Sequence, residues 1–152
     1  MELDRIDRHI LNLLQRDNRI TNAHLAEQVG LSPPACLQRV RRLRSSKLIR
    51  ADVLLLEPAL VGQMLTMIVE VELERDRPDL YERFASSVHQ ANEVTQCYRV
   101  TGEVDVVLVV SVADLQAFEA FVQRVLYAEP NMRKFRTLIS LKREKFETAI
   151  EL

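Results

Sequence analysis

The sequence has few of the residues that build disulfide frameworks, metal centres or membrane spans. Its only cysteines, Cys36 and Cys97, lie far apart without CxxC spacing or clustered histidines. We therefore predict no disulfide, metal site or cofactor, and we expect both cysteines to be buried. No apolar run approaches the roughly 18 residues that cross a bilayer, and charged residues follow Met1 directly, so we expect a cytoplasmic protein without a membrane partner. Three glycines and five prolines among 152 residues favour a chain that is globular throughout.

Acidic residues are scarce in one part of the chain. Residues 1–60 carry a net charge of +3 and residues 61–152 a net charge of −4, which favours a nucleic-acid-facing half joined to a half with another task. No acidic residue lies between Glu27 and Asp52, whereas that stretch holds Arg39, Arg41, Arg42, Arg44, Lys47 and Arg50. Basic residues near a helix end explain one or two of these but not the missing acids. We therefore favour double-stranded DNA as a partner.

The N-terminal segment begins with the signals of two helices. Asp4 can cap a first helix that ends near Asp17, and Asp7 follows it at the spacing of a capping box. Thr21 can cap a short second helix, which Gly30 ends in a left-handed conformation.

A third helix begins at Ser32, with Pro33 in the first helical position. Helical periodicity turns Cys36, Leu37, Val40 and Leu43 inward. A short helix, a glycine-containing turn and a helix with a basic outer face form a helix-turn-helix, whose last helix enters the major groove. We predict DNA contacts from the start, outer face and flank of this helix: Ser32, Pro34, Gln38, Arg39, Arg41 and Arg42.

The run over residues 49–56 predicts a strand, which Pro58 ends. A strand directly after a recognition helix can serve as the wing of a winged helix. We therefore predict a winged helix-turn-helix domain with a linker strand over residues 1–58 and a second domain over residues 59–152.

Strands alternate with helices in this second domain. The patterns predict strands over residues 64–73, 94–101, 105–112 and 133–142 and helices over residues 78–90 and 115–127. The order βαββαβ is that of a ferredoxin-like fold, in which both helices cover one face of an antiparallel sheet, so the chain is α+β. We expect the helices to bury Leu80, Phe84, Val88, Leu115, Phe118, Phe121, Val122 and Val125.

The third predicted strand, residues 105–112, is apolar on both faces, although two helices can cover only one side of the sheet. The simplest cover for the other side is a second copy of the chain. We predict a homodimer that meets through Val106, Leu108 and Val110 or through the alternates Val107 and Val109. A central strand with only a local patch covering it is the alternative.

Five segments, taken in order, carry a resemblance to a known family: residues 3–11 (LDRIDRHIL), 17–20 (DNRI), 29–33 (VGLSP), 37–43 (LQRVRRL) and 100–105 (VTGEVD). They resemble the Lrp/AsnC family of feast/famine regulators, whose sensor domain carries a Gly-acid-x-Asp turn. The resemblance implies a DNA-binding domain linked to a sensor domain, dimers built through the sensor sheets, and assembly of dimers into rings, often octamers. It also implies tuning by an amino acid. Lys47 and Asn131 stand where the family often has glycine, and asparagine tolerates a left-handed conformation better than lysine does.

The family's effector lies between dimers, near this turn and the end of the last strand. The matching residues here are Gly102, Glu103, Asp105, Thr137 and Ile139. Backbone N–H groups of the turn can hold a carboxylate, while Glu103 or Asp105 takes the ammonium. Without the resemblance, one glycine between two strands is usually a solvated hairpin turn.

Arg99 stands where the family's sensor strand is often apolar, and it should point to the same side of that strand as Thr101; both are candidate effector-binding residues. If this strand face lines the effector site, we expect Arg99 to favour a ligand with an extra carboxylate or a polar acceptor. The alternative is an ion pair with Glu93, Glu103 or a neighbouring subunit.

Two other functions remain open. One is a DNA-binding architectural protein without effector control, and the other is a small ferredoxin-like enzyme. No set of nucleophile, base and orienting residue is evident, and Glu70, Glu72 and Glu74 on one strand face are typical of a solvated edge. We therefore predict a regulator without catalytic residues.

Overall fold

The computed structural model describes residues 2–152. These form two compact units: unit 1 holds the residues up to Leu55 together with Glu144–Leu152, and unit 2 is Leu56–Arg143. The predicted domains, 1–58 and 59–152, differ from these units by three residues at the boundary and in where they place the segment Glu144–Leu152. Side-chain amides of Asn12 and Gln15 hydrogen-bond to the backbone of that segment and attach it to unit 1.

Unit 1 is built on three helices, α1 (Arg5–Arg16), α2 (Asn22–Val29) and α3 (Pro33–Ser45). The capping signals are confirmed. Asp4 accepts from the Asp7 N–H at 2.8 Å in a capping box, and Thr21 accepts from the His24 N–H. Gly30 ends α2 at a φ of 69°. Ser32 is the N-cap of α3 but makes no side-chain capping hydrogen bond.

Buried residues from all three helices form the core of unit 1. Ile10, Leu25, Cys36 and Leu43 are each 2% exposed or less. Leu37, predicted to point inward with Cys36, is 37% exposed, because it lies at the edge of the buried stripe.

The predicted strand over residues 49–56 is not formed in the described part of the chain. An extended segment becomes a strand only through ladder hydrogen bonds with a neighbour, and this one has none within the described residues. Val53, Leu54, Leu55 and Leu56 are exposed.

Lys47 and Asn131, the two residues that stand where the family often has glycine, differ in backbone conformation. Lys47 has a left-handed φ of 63°. Asn131 does not, and its side-chain amide hydrogen-bonds to the backbone of Arg75.

Unit 2 contains β1 (Leu65–Leu73), α4 (Pro78–Gln90), β2 (Val94–Arg99), β3 (Val106–Val112), α5 (Leu115–Phe121) and β4 (Met132–Ile139). A 3-10 turn over Pro58–Val61 precedes β1, and α5 continues as a π-helical turn over Val122–Leu126. The strands pair antiparallel in the order β2-β3-β1-β4. The predicted ferredoxin-like fold is confirmed.

The core of unit 2 lies between one face of the sheet and the two helices. Alternate residues of β1 and β3 pack there with Phe84 and Phe121. Leu115, predicted to be buried, is 60% exposed because it opens the first turn of α5, directly after the N-cap Asp114. Cys97, also predicted to be buried, is exposed on β2, which is an edge strand. None of the described helices is long and apolar enough to span a bilayer.

Candidate DNA interface and effector site

The outer surface of α3 holds four of the predicted DNA-contacting residues in accessible positions. Ser32, Pro34, Gln38 and Arg41 are exposed. Arg41 forms no ion pair with any residue that the structure describes, so its guanidinium faces solvent with its donors available.

The two other predicted contacts, Arg39 and Arg42, are held by carboxylates at the start of α1. Arg39 Nη1 donates to Asp4 Oδ2 at 2.5 Å and to Asp7 Oδ1 at 2.9 Å. Arg42 Nη2 donates to Asp7 Oδ2 at 2.6 Å. The hydrogen bond from Arg39 and the backbone N–H of Asp7 lower the pKa of Asp4, and Asp4 and Asp7 raise the pKa of Arg39.

This network fixes α3 to α1. Asp7 is 1% exposed, whereas the side chain of Arg39 is 28% exposed and that of Arg42 48% exposed. Sequence reasoning assigned Asp7 only to the capping box and missed its two arginine partners. The signal was present, because Asp7 lies three and four residues before the buried Ile10 and Leu11, on the apolar stripe of α1.

Three more basic residues follow on the chain. Arg44 pairs with Asp52 at 2.6 Å. Lys47 and Arg50 are exposed. Arg41, Lys47 and Arg50 are therefore exposed basic residues of unit 1, and exposed cations of this kind attract a phosphate backbone.

In unit 2, the turn over residues 101–105 joins β2 to β3. Thr101, Gly102 and Glu103 are exposed, and Gly102 has a φ of 120°, which favours glycine. Asp105 Oδ2 accepts from the Leu73 N–H at 2.7 Å, so this carboxylate holds the turn to the end of β1. The carboxylate of Glu103 is the freer acceptor for an ammonium group.

Arg99 lies at the end of β2, and its partner differs from both acids named from the sequence. Its guanidinium donates to Asp76 at 2.9 Å and lies 4.5 Å over the ring of Tyr81. Glu93 is paired instead with Arg124. Burial raises the pKa of Glu93, but hydrogen bonds from its own backbone and from Arg124 outweigh this effect and lower the pKa overall.

Thr137 and Ile139 lie on β4, at the opposite edge of the sheet from β2. Their register partners on β1 are Val69 and Met67. Because β1 separates β3 from β4, these residues lie about two strand spacings, roughly 9–10 Å, from β3. One chain therefore does not bring them together with the turn over residues 101–105.

The face of the sheet opposite the helices is apolar at its centre. Val107, Val109, Ile68 and Leu138 share this face, since Val106, Leu108 and Val110 point to the helices and are fully buried. Two sets of residues were proposed for self-association. In unit 2 only the second set, Val107 and Val109, remains accessible to a partner, since Val106, Leu108 and Val110 are buried against the helices.

Ion pairs lie beside this apolar centre. Glu70 accepts from Arg136 Nε at 2.7 Å, and Glu72 accepts from Lys134 at 2.9 Å. Glu70 and Glu72, expected to mark a solvated edge, therefore form cross-strand pairs with β4.

Two family models match the chain. Residues 3–44 match the AsnC-type helix-turn-helix domain, and residues 66–150 match the Lrp/AsnC ligand binding domain. A helix-turn-helix-type transcriptional regulator of Sinorhizobium fredii is 43% identical over 100% of this chain and 90% of its own length.

The leucine-responsive regulatory protein of Klebsiella pneumoniae is 40% identical over 95% of this chain and 88% of its own. A transcriptional regulator of Neisseria meningitidis, crystallised in complex with L-Met, has a TM-score of 0.91 and 35% identity, covering 98% of this chain and 96% of its own. The matched domains are those of DNA-binding regulators and not of enzymes. The chain belongs to the Lrp/AsnC family of transcriptional regulators, with a helix-turn-helix unit for DNA and a ligand-binding unit.

Proposed function

We propose that this chain regulates transcription by binding specific DNA sequences through α3, and that an amino acid modulates its DNA binding or assembly. The observation that carries the proposal is the outer surface of α3. It exposes Gln38 and Arg41, two side chains that form bidentate contacts with adenine and guanine, on a segment without acids between Glu27 and Asp52.

The predicted DNA-contacting residues of α3 and its N-cap have two roles, contact with the DNA groove and positioning of α3 against α1. Ser32, Pro34, Gln38 and Arg41 face the groove. Arg42 combines both roles, since about half of its side chain is exposed while Nη2 holds Asp7. Arg39 acts mainly as a positioning residue, because one of its nitrogens spans Asp4 and Asp7.

The effector site in this proposal is composite. The turn of one copy provides Thr101, Gly102 and Glu103, and β4 of another copy provides Thr137 and Ile139. This division follows from the sheet order, which keeps the two sets apart within one chain. The Neisseria relative in complex with L-Met and the leucine-responsive name of the Klebsiella relative favour an amino acid as ligand. Asp105 supports the turn, and Arg99 borders it.

Assembly begins with a homodimer that buries the sheet face around Val107 and Val109. Val107, Val109, Ile68 and Leu138 supply the apolar centre, and the cross-strand ion pairs supply a polar rim, which is the anatomy of a protein–protein interface. Dimers then associate into a higher oligomer, an octamer by analogy with the family, and in it the turn of one dimer meets β4 of another.

A screen of the twenty amino acids by thermal shift identifies the ligand, because a ligand that binds only the folded state raises the melting temperature. We expect at least one to stabilise the wild type and to change its affinity for a DNA duplex selected in vitro. The matched variant Glu103→Gln removes the exposed acceptor while keeping the size of the side chain. Full ligand response in Glu103→Gln contradicts the assigned site, and no response to any amino acid in the wild type contradicts the effector proposal.

A further inference from the structure

Helix α1 carries a pair of amide side chains that hold an extended segment of the chain. Gln15 Nε2 donates to the Ile150 carbonyl at 2.8 Å, and Gln15 Oε1 accepts from the Ile150 N–H at 2.8 Å. Asn12 repeats the pattern with Leu152, where its Oδ1 accepts from the N–H at 3.3 Å and its Nδ2 donates to the carbonyl at 3.5 Å. We call residues 144–152 the return segment, because they lead the chain back to unit 1.

The side-chain amides of Asn12 and Gln15 bind the backbone of the return segment and not its side chains. A primary amide has one acceptor and two donors, so it can replace the peptide group of a neighbouring strand. Residues three apart on a helix share a face, and residues two apart on an extended segment direct their peptide groups to the same side. Ile150 remains 71% exposed and Leu152 42% exposed, so neither residue is anchored in the core of unit 1.

The return segment also has a special place in the chain. The chain leaves unit 1 at Leu55 and re-enters it at Glu144. Both ends of the ligand-binding unit are therefore continuous with segments of the DNA-binding unit. The chain crosses between the units covalently at both places, and at the return Asn12 and Gln15 add four hydrogen bonds between α1 and the return segment.

We propose that Asn12 and Gln15 form a latch that holds the return segment of the same chain on α1, and that this latch transmits ligand binding in unit 2 to the DNA-binding unit. This inference rests on the ligand-regulated DNA binding proposed above. An exposed latch held by a few side-chain hydrogen bonds opens at low free-energy cost, so a ligand that strains or relaxes the return segment shifts the latch between two populations.

The first test measures hydrogen exchange in the full chain. Asn12→Ala/Gln15→Ala removes the latch while keeping strong helix formers in α1. Arg8→Ala is the matched control, because Arg8 is an exposed α1 residue whose side chain makes no hydrogen bond or ion pair with the described residues. We expect exchange at Ile150 and Leu152 to rise roughly tenfold in the double variant and to stay unchanged in the control. Equal exchange in the wild type and the double variant overturns the latch.

The second test measures coupling. The ratio of the DNA dissociation constants with and without the identified amino acid should fall toward one in the double variant. The control keeps the wild-type ratio, and ligand-free DNA affinity should stay within about twofold, since the latch does not touch α3. An unchanged ratio overturns transmission through the latch. If the wild type responds to no amino acid, the proposed function fails, and exchange at residues 150 and 152 still decides whether the latch holds the segment.

The third test identifies the occupant. Glu151, exposed between the two captured residues, is replaced by the photo-crosslinker p-benzoylphenylalanine in a co-refolded mixture of isotopically light and heavy protein. We expect crosslinks to α1 that join only light to light and heavy to heavy. Mixed crosslinks assign the site to the return segment of a second copy and overturn the same-chain assignment.

Discussion

Replacing Asp7 with alanine tests how the recognition helix is held. Three donors converge on this buried carboxylate: the guanidinium groups of Arg39 and Arg42 at 2.9 and 2.6 Å and the Asp4 N–H at 3.3 Å. Removing one partner of a buried ion pair costs about 3–5 kcal/mol. Because the Arg39 and Arg42 side chains are 28% and 48% exposed, water can solvate the released guanidinium groups. We therefore expect a loss of about 2–3 kcal/mol.

The assay is native-state hydrogen exchange at core amides of α1 and α2, which reports on unit 1 separately. A loss of 2–3 kcal/mol corresponds to exchange faster by roughly 30- to 140-fold. Glu2→Ala, which removes an exposed acid in the same unit, should change stability by less than about 0.5 kcal/mol. In a double-mutant cycle, Asp7→Ala and Arg42→Ala should couple by about 1–2 kcal/mol.

The same variant separates positioning from direct DNA contact. Asp7→Ala should weaken binding to a selected duplex without lowering the dependence on salt, since Asp7 neutralises no phosphate. A stability within about 0.5 kcal/mol of the wild type, together with unchanged DNA affinity, refutes the account of α3 as a helix fixed by this network.

Other predictions concern the backbone, the cysteines and pH. Lys47→Gly should stabilise the chain by about 0.5–1 kcal/mol in urea unfolding, because glycine removes the cost of a left-handed φ; Lys47→Asn should gain less, and destabilisation by Gly contradicts the assigned backbone. A thiol reagent should label the exposed Cys97 in the native protein and the buried Cys36 only on unfolding; equal labelling of both contradicts the packing of unit 1. The hydrogen bond from Arg39 lowers the pKa of Asp4 below its usual value of 3.8. The charged Asp4 carboxylate therefore stabilises the fold at pH values above 3.8, and this contribution is lost as the pH falls through the lowered pKa. The urea midpoint should therefore fall less with decreasing pH in Asp4→Asn than in the wild type. An identical fall in both proteins would show that Asp4 does not contribute to the loss of stability in acid.

The three helices of unit 1 and all four strands of unit 2 were predicted correctly, because capping residues and side-chain periodicity depend only on residues that are close in sequence. Asp4, Thr21 and Gly30 act within one helical turn, and alternation along β3 follows from the two-residue period of a strand. The antiparallel sheet with both helices on one face followed from the βαββαβ pattern, since that order of elements is typical of a ferredoxin-like fold.

The missed features depend on partners that are distant in sequence. The strand predicted over residues 49–56 lacks a described neighbour to pair with, although its composition suits a strand. Asp76 holds Arg99 across the loop before α4, and no local spacing indicates that pair. Ile150 is attached to Gln15 by hydrogen bonds between its backbone and the side-chain amide. Hydrophobic periodicity cannot indicate such a contact, because it reports only on apolar side chains. Only the inward position of Asp7 on α1 was available as an unused signal.

The surface of α3 is the central element of the account, and one titration tests it. Fluorescence anisotropy with a duplex selected from a random library gives the dissociation constant over a range of salt for the wild type and for Gln38→Ala/Arg41→Ala. Loss of a base contact costs about 1–3 kcal/mol, and loss of a phosphate contact lowers the salt slope by about one unit. We predict binding at least roughly tenfold weaker for the double variant, with relaxed specificity at the contacted positions. An affinity, specificity and salt slope equal to those of the wild type would contradict the assignment of α3 as the DNA-reading helix.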